Sequence, residues 1–434
     1  MSRSLGLLFL LAFMAGAHIP RSFSLLYIAL AFAWLLFRSG RLAELATLVA
    51  EACRYERPQL ILVSLFSLSY PMAMLLFGFW SLGGRLFLDA VNATLLPWSL
   101  LLFGAVGIRH NPRILKTFYA GYCLGGLSFL LAALLKTRGL DWFANSGDQA
   151  MLFLAWGNEA SINVRSIEQY GIVALACLPA SIAAFCAQRF RSGWLLLAFS
   201  VVGLLSVQPL ANGRLWIVSL LLASLPLLTR AIRCLFARLL PFSQSMKRAG
   251  LFSGLFLSMM LVLSFLFDEK LIPLQLCDER FDVYKRALLA WPDLVRGGRS
   301  LRFTAYLCDH STPISVSLQG NSQPGTLQGQ LSMLHSVPLD IVSSIGLLSA
   351  LPLLLLLVIA LVAWVRLFRV LVRIEFSGRS LMMHLLWSLS SVLLIQWLFQ
   401  PLIYGDSLLY YLSFAVLGSV SAVGLPRGLA TRSL

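Results

Sequence analysis

The sequence is poor in charge. Only 12% of its 434 residues are Asp, Glu, Lys or Arg, about half the usual share in a soluble domain. So few ionic groups could not cover an ordinary globular enzyme, and that class is excluded. Acids are scarcest, with 18 Asp and Glu against 34 Lys and Arg and a formal net charge of +16. In a soluble protein that balance would invite a nucleic-acid partner. Here the first question is which side of a membrane the charges occupy. Short alternating strand patterns are missing, which excludes a transmembrane β-barrel. No internal repeat or matched pair of broken spans is evident, which weakens a transporter built from inverted repeats. No metal pattern surrounds His335, which has no His or carboxylates at ligand spacing, so no metal site is expected.

What the sequence has is apolar surface. Hydrophobic residues make up 59% of it, and the mean hydropathy is +0.83. They gather in uncharged runs approaching the roughly 20 residues that cross a bilayer. The expected fold is therefore an all-α polytopic integral membrane protein of about twelve transmembrane helices. The spans lie near 4–18, 23–37, 59–80, 91–108, 117–135, 170–187, 194–211, 214–229, 251–267, 337–364, 381–400 and 407–424. The first two are short and read either as spans or as a re-entrant hairpin; both choices preserve the sidedness of the ten later spans. The run after Met1 to Ser4 resembles a signal peptide but flows into further spans without a convincing cleavage site, and is read as retained.

An even number of spans puts both termini on one side. If that side is cytoplasmic, its short loops collect Arg109, Arg113 and Lys116, then Arg230, Arg233, Arg238, Lys247 and Arg248, then Arg366, Arg369, Arg373 and Arg379. The opposite side is nearly neutral, as the positive-inside rule requires. The net charge then reflects topology and attraction to anionic lipid heads, and no nucleic acid is expected. The chain divides into spans one to nine (1–267), a large outer loop (268–336) and spans ten to twelve (337–434). A second outer loop covers 136–169. Long loops in compact folds tend to be functional. In the larger one, Glu279 to Leu289 reads as a short amphipathic helix ended by Pro292 and Gly297-Gly298. The stretch Ser311 to Gln330, rich in Ser, Gln, Gly and Pro, reads as a flexible crossing. Of the cysteines, Cys53 and Cys234 fall on the inner side and Cys123, Cys177 and Cys186 within spans. Only Cys277 and Cys308 share the outer loop. In an oxidising compartment they are candidates for a disulfide, the alternative being two free thiols.

Three outer-face residues are candidates for chemistry. His335 ends the large loop and directly precedes span ten. A histidine there can titrate near neutrality and accept a proton from a hydroxyl; the bland alternative is a packed residue at a helix end. Arg214, in Ala211-Asn212-Gly213-Arg214, lies in a hairpin so short that its guanidinium sits at the membrane surface. It is either functional or snorkelling to lipid heads. Arginine suits a phosphate because its planar fork donates two hydrogen bonds together. Arg280 opens the amphipathic helix, where Asp278, Glu279 and Asp282 offer it solvated partners instead. His18 and His384 read as packed or snorkelling, His110 as solvated, and nothing supports a role for His310. Two arginines and a histidine on one face, beside a lipid-exposed cavity, suit a lipid-linked pyrophosphate donor.

At this point the chain resembles the O-antigen ligase family, within the wider group that includes O-antigen polymerases and some protein O-oligosaccharyltransferases. Three segments carry the resemblance. In HSVPLDIVSSIGLL, the residues His335, Leu339, Asp340 and Gly346 match a pattern with ten residues between His and Gly. In GRLWIV, Arg214 matches an arginine at the outer end of span eight. In RFDVYKRALLAWPDLVRGG, the residues Arg280, Tyr284, Ala287, Leu288, Pro292 and Gly298 resemble an Arg-x3-aromatic-x2-Ala-Leu segment. Departures occur: Asn212-Gly213 stands where Ser or Thr is common, Tyr284 in place of Trp, Ser336 in place of Asn, and Ile345 in place of an acid.

The resemblance implies a GT-C-like glycosyltransferase of lipopolysaccharide biosynthesis in the inner membrane of a Gram-negative bacterium. Its active site would be periplasmic and its termini cytoplasmic. Its donor would be an undecaprenyl-diphosphate-linked O-antigen glycan, and its acceptor a sugar hydroxyl of lipid A–core. Transfer would be inverting, with no metal or cofactor. Arg214 and Arg280 would stabilise the pyrophosphate, and His335 would take the acceptor proton. Asp340, five residues on and badly placed to face His335 round a helix, would have at most an orienting role. Lys136, Arg138 and Arg165 in the other outer loop could bind acceptor phosphates or donor charge, or simply solvent and lipid heads.

The nearest rival is an O-antigen polymerase, which uses the same donor; the His-to-Gly segment and the modest loop favour the ligase. A protein O-oligosaccharyltransferase would be longer. A lipid or glycan flippase should carry charge along a path at the membrane midplane, whereas these spans are nearly bare of it.

Overall fold

Most of the described chain is helical. The computed structural model describes residues 42–77, 96–102, 104–108, 171–207, 214–239, 279–298, 301–306, 313–317, 330–331, 334–400 and 407–424. Ten helices are named here: α1 (Leu42–Tyr55), α2 (Arg57–Leu76), α3 (Cys177–Cys186), α4 (Phe190–Val207), α5 (Arg214–Leu239), α6 (Glu279–Leu289), α7 (Trp291–Arg296), α8 (Val337–Arg373), α9 (Gly378–Phe399) and α10 (Ser407–Gly424). A further apolar helical segment covers Leu96–Ile108. The expected spans at 4–18, 23–37, 117–135 and 251–267 lie outside the described residues.

Two helical stretches are long and apolar enough to cross a bilayer, Leu347–Arg373 in α8 and Ser380–Phe399 in α9. They occupy different places. Of the most apolar part of each, 28% is buried in α8 and 83% in α9, so α9 is central and α8 peripheral. The open face of α8 carries Leu348, Leu351, Leu355, Val358, Leu361 and Val362. A continuous apolar strip of this length is costly against water and is matched by hydrocarbon.

The packing of α9 is fixed by indoles. Trp364 of α8 and Trp387 of α9 stack with centroids 4.1 Å apart and planes 15° apart. Trp364 Nε1 donates to Ser391 Oγ (3.2 Å) and Trp387 Nε1 donates to the Leu222 carbonyl of α5 (3.1 Å). One fully buried side chain thus ties three helices. Trp387→Ala is expected to cost about 3–5 kcal/mol, the range for a large aromatic truncated in a core. The readout is the midpoint of thermal unfolding in detergent micelles, and an unchanged midpoint would contradict this packing. On the other side of α8, Ser69 Oγ of α2 donates to the Ser349 carbonyl (2.8 Å). Small residues let the Leu96–Ile108 segment approach α10, where Ser419 Oγ donates to the Gly104 carbonyl (3.1 Å).

These contacts define two ends. At one, Arg230 of α5 donates to the Ile374 carbonyl just past α8 and lies 4.0 Å from the centroid of Phe376, which stacks on buried His384. At the other, the end of α9 meets α6, with Tyr284 and Phe399 centroids 6.3 Å apart. Helices α5 and α9 therefore run antiparallel.

Four expectations require correction. The fold is not purely α: β1 (Arg302–Tyr306), β2 (Pro313–Ser317) and β3 (Gln330–Leu331) form a three-stranded sheet in that order. β1 and β2 are antiparallel with Phe303 opposite Val316, and β2 and β3 are parallel with Val316 opposite Leu331. The stretch Ser311 to Gln330, expected to be a flexible crossing, accordingly holds β2 and the first residue of β3. Span ten is not one uninterrupted helix, because Gly346 takes φ 79 and ψ 158 and breaks α8. Finally, α5 continues to Leu239, so Arg230, Arg233 and Arg238 are helical rather than in a loop. The helix α1 was not anticipated.

Candidate functional site

The site grows from the break in α8. A helical interior leaves no carbonyl unpaired, but an interruption frees those just before it. Here the Ser344 carbonyl accepts from the Gly298 amide (2.9 Å), and the hydroxyls of Ser343 and Ser344 fold back onto the Asp340 carbonyl (3.0 and 2.7 Å). Gly297 can lie against Gly346 because it carries no Cβ, and a Cβ on Gly346 would in turn press on the Arg296 carbonyl oxygen. A methyl added at Gly297 would overlap the Gly346 amide nitrogen and stand 2.7 Å from its Cα. The end of the α6–α7 segment is thereby pinned, backbone against backbone, onto the His-to-Gly segment.

The other end of that segment is the His335 turn. Leu334 and Val337 are fully buried on either side of it, while His335 itself is half-buried. His335 adopts φ 57, the left-handed region that non-glycine residues rarely occupy. Ser336 comes next in extended conformation as the N-cap, with Pro338 in the first turn of α8. The buried carboxylate of Asp340 accepts from Leu334 N at 2.7 Å through Oδ1 and from Ser336 N at 3.2 Å through Oδ2. It thus holds the amides on both sides of His335, and it sits in the first turn of a helix, where negative charge is favoured. Tyr284 Oη of α6 donates to the His335 carbonyl (2.9 Å) and lies 3.4 Å from that of Leu398.

The expected helix over Glu279–Leu289 has those bounds in α6. It buries Val283 and Ala287 on the face toward the core, exposes Lys285, and projects Tyr284 at the His335 turn. Asp282, considered as a partner of Arg280, pairs with Arg286 at 2.7 Å. That contact is partly exposed and of the kind worth little to stability.

The structure brings some of the sequence candidates together and separates others. His335, Asp340, Tyr284, Gly298 and Gly346 form one cluster. Arg280 lies one helical turn before Tyr284 in α6; its side chain is outside the described residues. Arg214 is the first residue of α5, and its side chain is likewise not described. Register still places its backbone. The Leu222 carbonyl meets Trp387, and Arg214 lies eight residues before Leu222, about 12 Å along the helix. Leu398 lies eleven residues after Trp387 on the antiparallel α9, about 16 Å in the same direction. Arg214 therefore begins α5 at the His335 end, about one turn short of Leu398. Lys136, Arg138, Arg165, Cys277 and Cys308 lie outside the described residues. His384 is buried against Phe376 at the opposite end. Among the described residues, no group of three or more His, Cys, Asp or Glu is arranged to hold a metal ion.

The orienting role considered for Asp340 takes a definite form: its carboxylate grips the turn through the Leu334 and Ser336 backbone amides. The only sequence signal was general, that a carboxylate is favoured in the first turn of a helix. The bond to Leu334 depends on the left-handed turn and had no sequence signal. No protein-family profile, curated protein or solved structure matches this chain.

Proposed function

We propose that the chain is an O-antigen ligase of the Gram-negative inner membrane, with twelve spans, cytoplasmic termini and a periplasmic site. It transfers a preassembled glycan from undecaprenyl diphosphate to a sugar hydroxyl of lipid A–core. The observation that carries the reading is the convergence of two segments far apart in sequence. The Arg280-to-Gly298 helix pair is bonded at one end to the His335 turn and at the other to the carbonyl released at Gly346. The half-buried His335 is thus held on a rigid turn, at the end of the bundle where α5 opens with Arg214.

Those positions suit a direct displacement. The acceptor hydroxyl oxygen attacks the anomeric carbon while its proton passes to His335. The bond from that carbon to the pyrophosphate oxygen breaks, and the lipid diphosphate leaves with the electron pair. Arg280 and Arg214 stabilise the charge gathering on it, because fixed cations in a low-dielectric site favour the transition state over the ground state. A single displacement inverts the anomeric centre. No step requires a group this chain does not supply, and donor and acceptor are each anchored by a lipid, as suits a site at the end of apolar helices.

The test is a reconstituted transfer assay. Purified protein in liposomes is mixed with lipid-linked O-antigen and rough lipopolysaccharide, and the products are resolved as a gel ladder. A ladder on lipid A–core is the expected result. Growth of the glycan only on the undecaprenyl carrier would make the chain a polymerase instead. Absence of any transfer by well-folded protein given cognate lipids would overturn the reading.

A further inference from the structure

The left-handed His335 is a conformation that its surroundings must enforce. Backbone in such regions persists only where neighbouring contacts over-determine it, and it concentrates at functional sites. Three contacts do so here, and all are made to the backbone, leaving the imidazole out of them. Asp340 Oδ1 takes the amide before His335 and Oδ2 the amide after it. Tyr284 Oη takes the His335 carbonyl itself. Asp340 is 2% exposed, so water does not compete for the amides. Asp340 comes from α8 and Tyr284 from α6, so the turn is gripped from two elements that Gly297 and Gly346 lock together.

We infer that Asp340 and Tyr284 are positioning residues that hold His335 in the left-handed conformation from which its imidazole reaches the acceptor hydroxyl. Neither touches the reacting atoms. The assignment of a proton-accepting role to His335 rests on the function proposed above; the clamp itself does not.

The chemistry of the substitution makes the test sharp. Asp340→Asn keeps the shape of the side chain but exchanges one acceptor oxygen for an amide nitrogen, which cannot accept from a backbone N–H. One of the two flanking amides must lose its partner. Tyr284→Phe removes a single hydroxyl. Freed from the clamp, residue 335 relaxes toward ordinary negative φ and swings the imidazole away. A misplacement of about 1 Å at a reacting group can lower a rate about 100-fold.

Two measurements on the full chain in liposomes decide the matter. The first is transfer kinetics of Asp340→Asn and Tyr284→Phe. The expected result is a fall in kcat of about 100-fold for Asp340→Asn and a smaller fall for Tyr284→Phe, with KM for both lipids nearly unchanged. The second is the solid-state NMR Cα shift of His335, which reports its backbone conformation. Protein labelled with 13C-histidine contains five such residues, and the signal is assigned by its loss in His335→Gln. It is expected to move in Asp340→Asn while the other four stay in place. A shift that stays put overturns the clamp. A shift that moves while kcat is retained overturns the positioning role, since the turn would then be slack without consequence. Uniform movement of all five signals, or a rise in KM matching the loss of rate, would assign the residue to general folding instead. If wild-type protein transfers no glycan, the functional reading falls, and the His335 shift alone then upholds or overturns the clamp.

Discussion

Replacing His335 by alanine is expected to lower glycan transfer by about 100-fold to 10,000-fold, the range a positioned general base contributes, while the protein remains folded. The expectation of retained fold comes from where the bonds go. The three clamp bonds join Asp340 and Tyr284 to the backbone of residues 334–336, and an alanine keeps these three. A second variant separates the imidazole from the turn. His335→Gly also removes the ring, but glycine enters the left-handed region without a steric penalty, so its turn is at least as well formed as the native one. Both variants should be inactive, with wild-type elution on size exclusion and no ladder on lipid A–core. An active His335→Gly beside an inactive His335→Ala would show that the turn matters and the ring does not. Arg214→Ala and Arg280→Ala are expected to abolish transfer in the same assay, because the departing pyrophosphate would lose a fixed countercharge. Full activity in either would remove that residue from the site.

Much of this arrangement is legible in the sequence, and the parts that are not share a cause. The amphipathic helix Glu279–Leu289 is visible because its stop signals, Pro292 and Gly297-Gly298, come directly after it. The apolar runs of α8, α9 and α10 are visible because each is a long window without charge, whether open on one face like α8 or buried like α9. The break at Gly346 is invisible locally. Apolar residues continue across it at helical spacing, and one glycine in a helical pattern costs only about 1 kcal/mol. What breaks the helix is the arrival of Gly297-Gly298, a contact no window of sequence contains. The strand β2 is hidden for a different reason. Pro313-Ile314-Ser315-Val316-Ser317 is a clean alternation, but it is embedded in a turn-rich stretch that outweighs it. In α5, the charge of Arg230 marks the end of an apolar window, although arginine is a good helix former and the helix runs on to Leu239. The proximity of Asp340 to His335 is the most instructive case. Counted round a helix, five residues separate them badly. The count does not apply, because His335 itself is left-handed and Ser336 after it is an extended N-cap, so neither lies on the helix.

The largest structural effect is expected at Gly297. Alanine there meets two penalties that do not relieve one another. Its φ of 80 with ψ of −161 belongs to a region that only glycine populates, at a cost of about 1–3 kcal/mol. Its methyl would also be driven into the backbone of Gly346, where no rotamer change can make room, and overpacking of this kind costs a further 1–3 kcal/mol or so. Together they amount to roughly 2–6 kcal/mol, a large part of the stability of an ordinary domain. The neighbouring glycines give a graded control. Alanine at Gly346, with φ 79, would place its methyl 3.0 Å from the Arg296 carbonyl oxygen, a tight contact short of overlap. Alanine at Gly298, with φ 75, would meet only the Phe77 ring at 3.2 Å, and a side chain at a helix end can yield. The thermal midpoints should therefore fall in the order Gly297→Ala, then Gly346→Ala, then Gly298→Ala, with the first the lowest. The same order should appear in transfer activity, because the joint these glycines form is what bonds the α6–α7 segment, and with it Tyr284, to the His335 turn. A Gly297→Ala protein as stable as wild type would mean that α7 does not lie against the break in α8, and the geometry of the site would have to be drawn again from α6 alone.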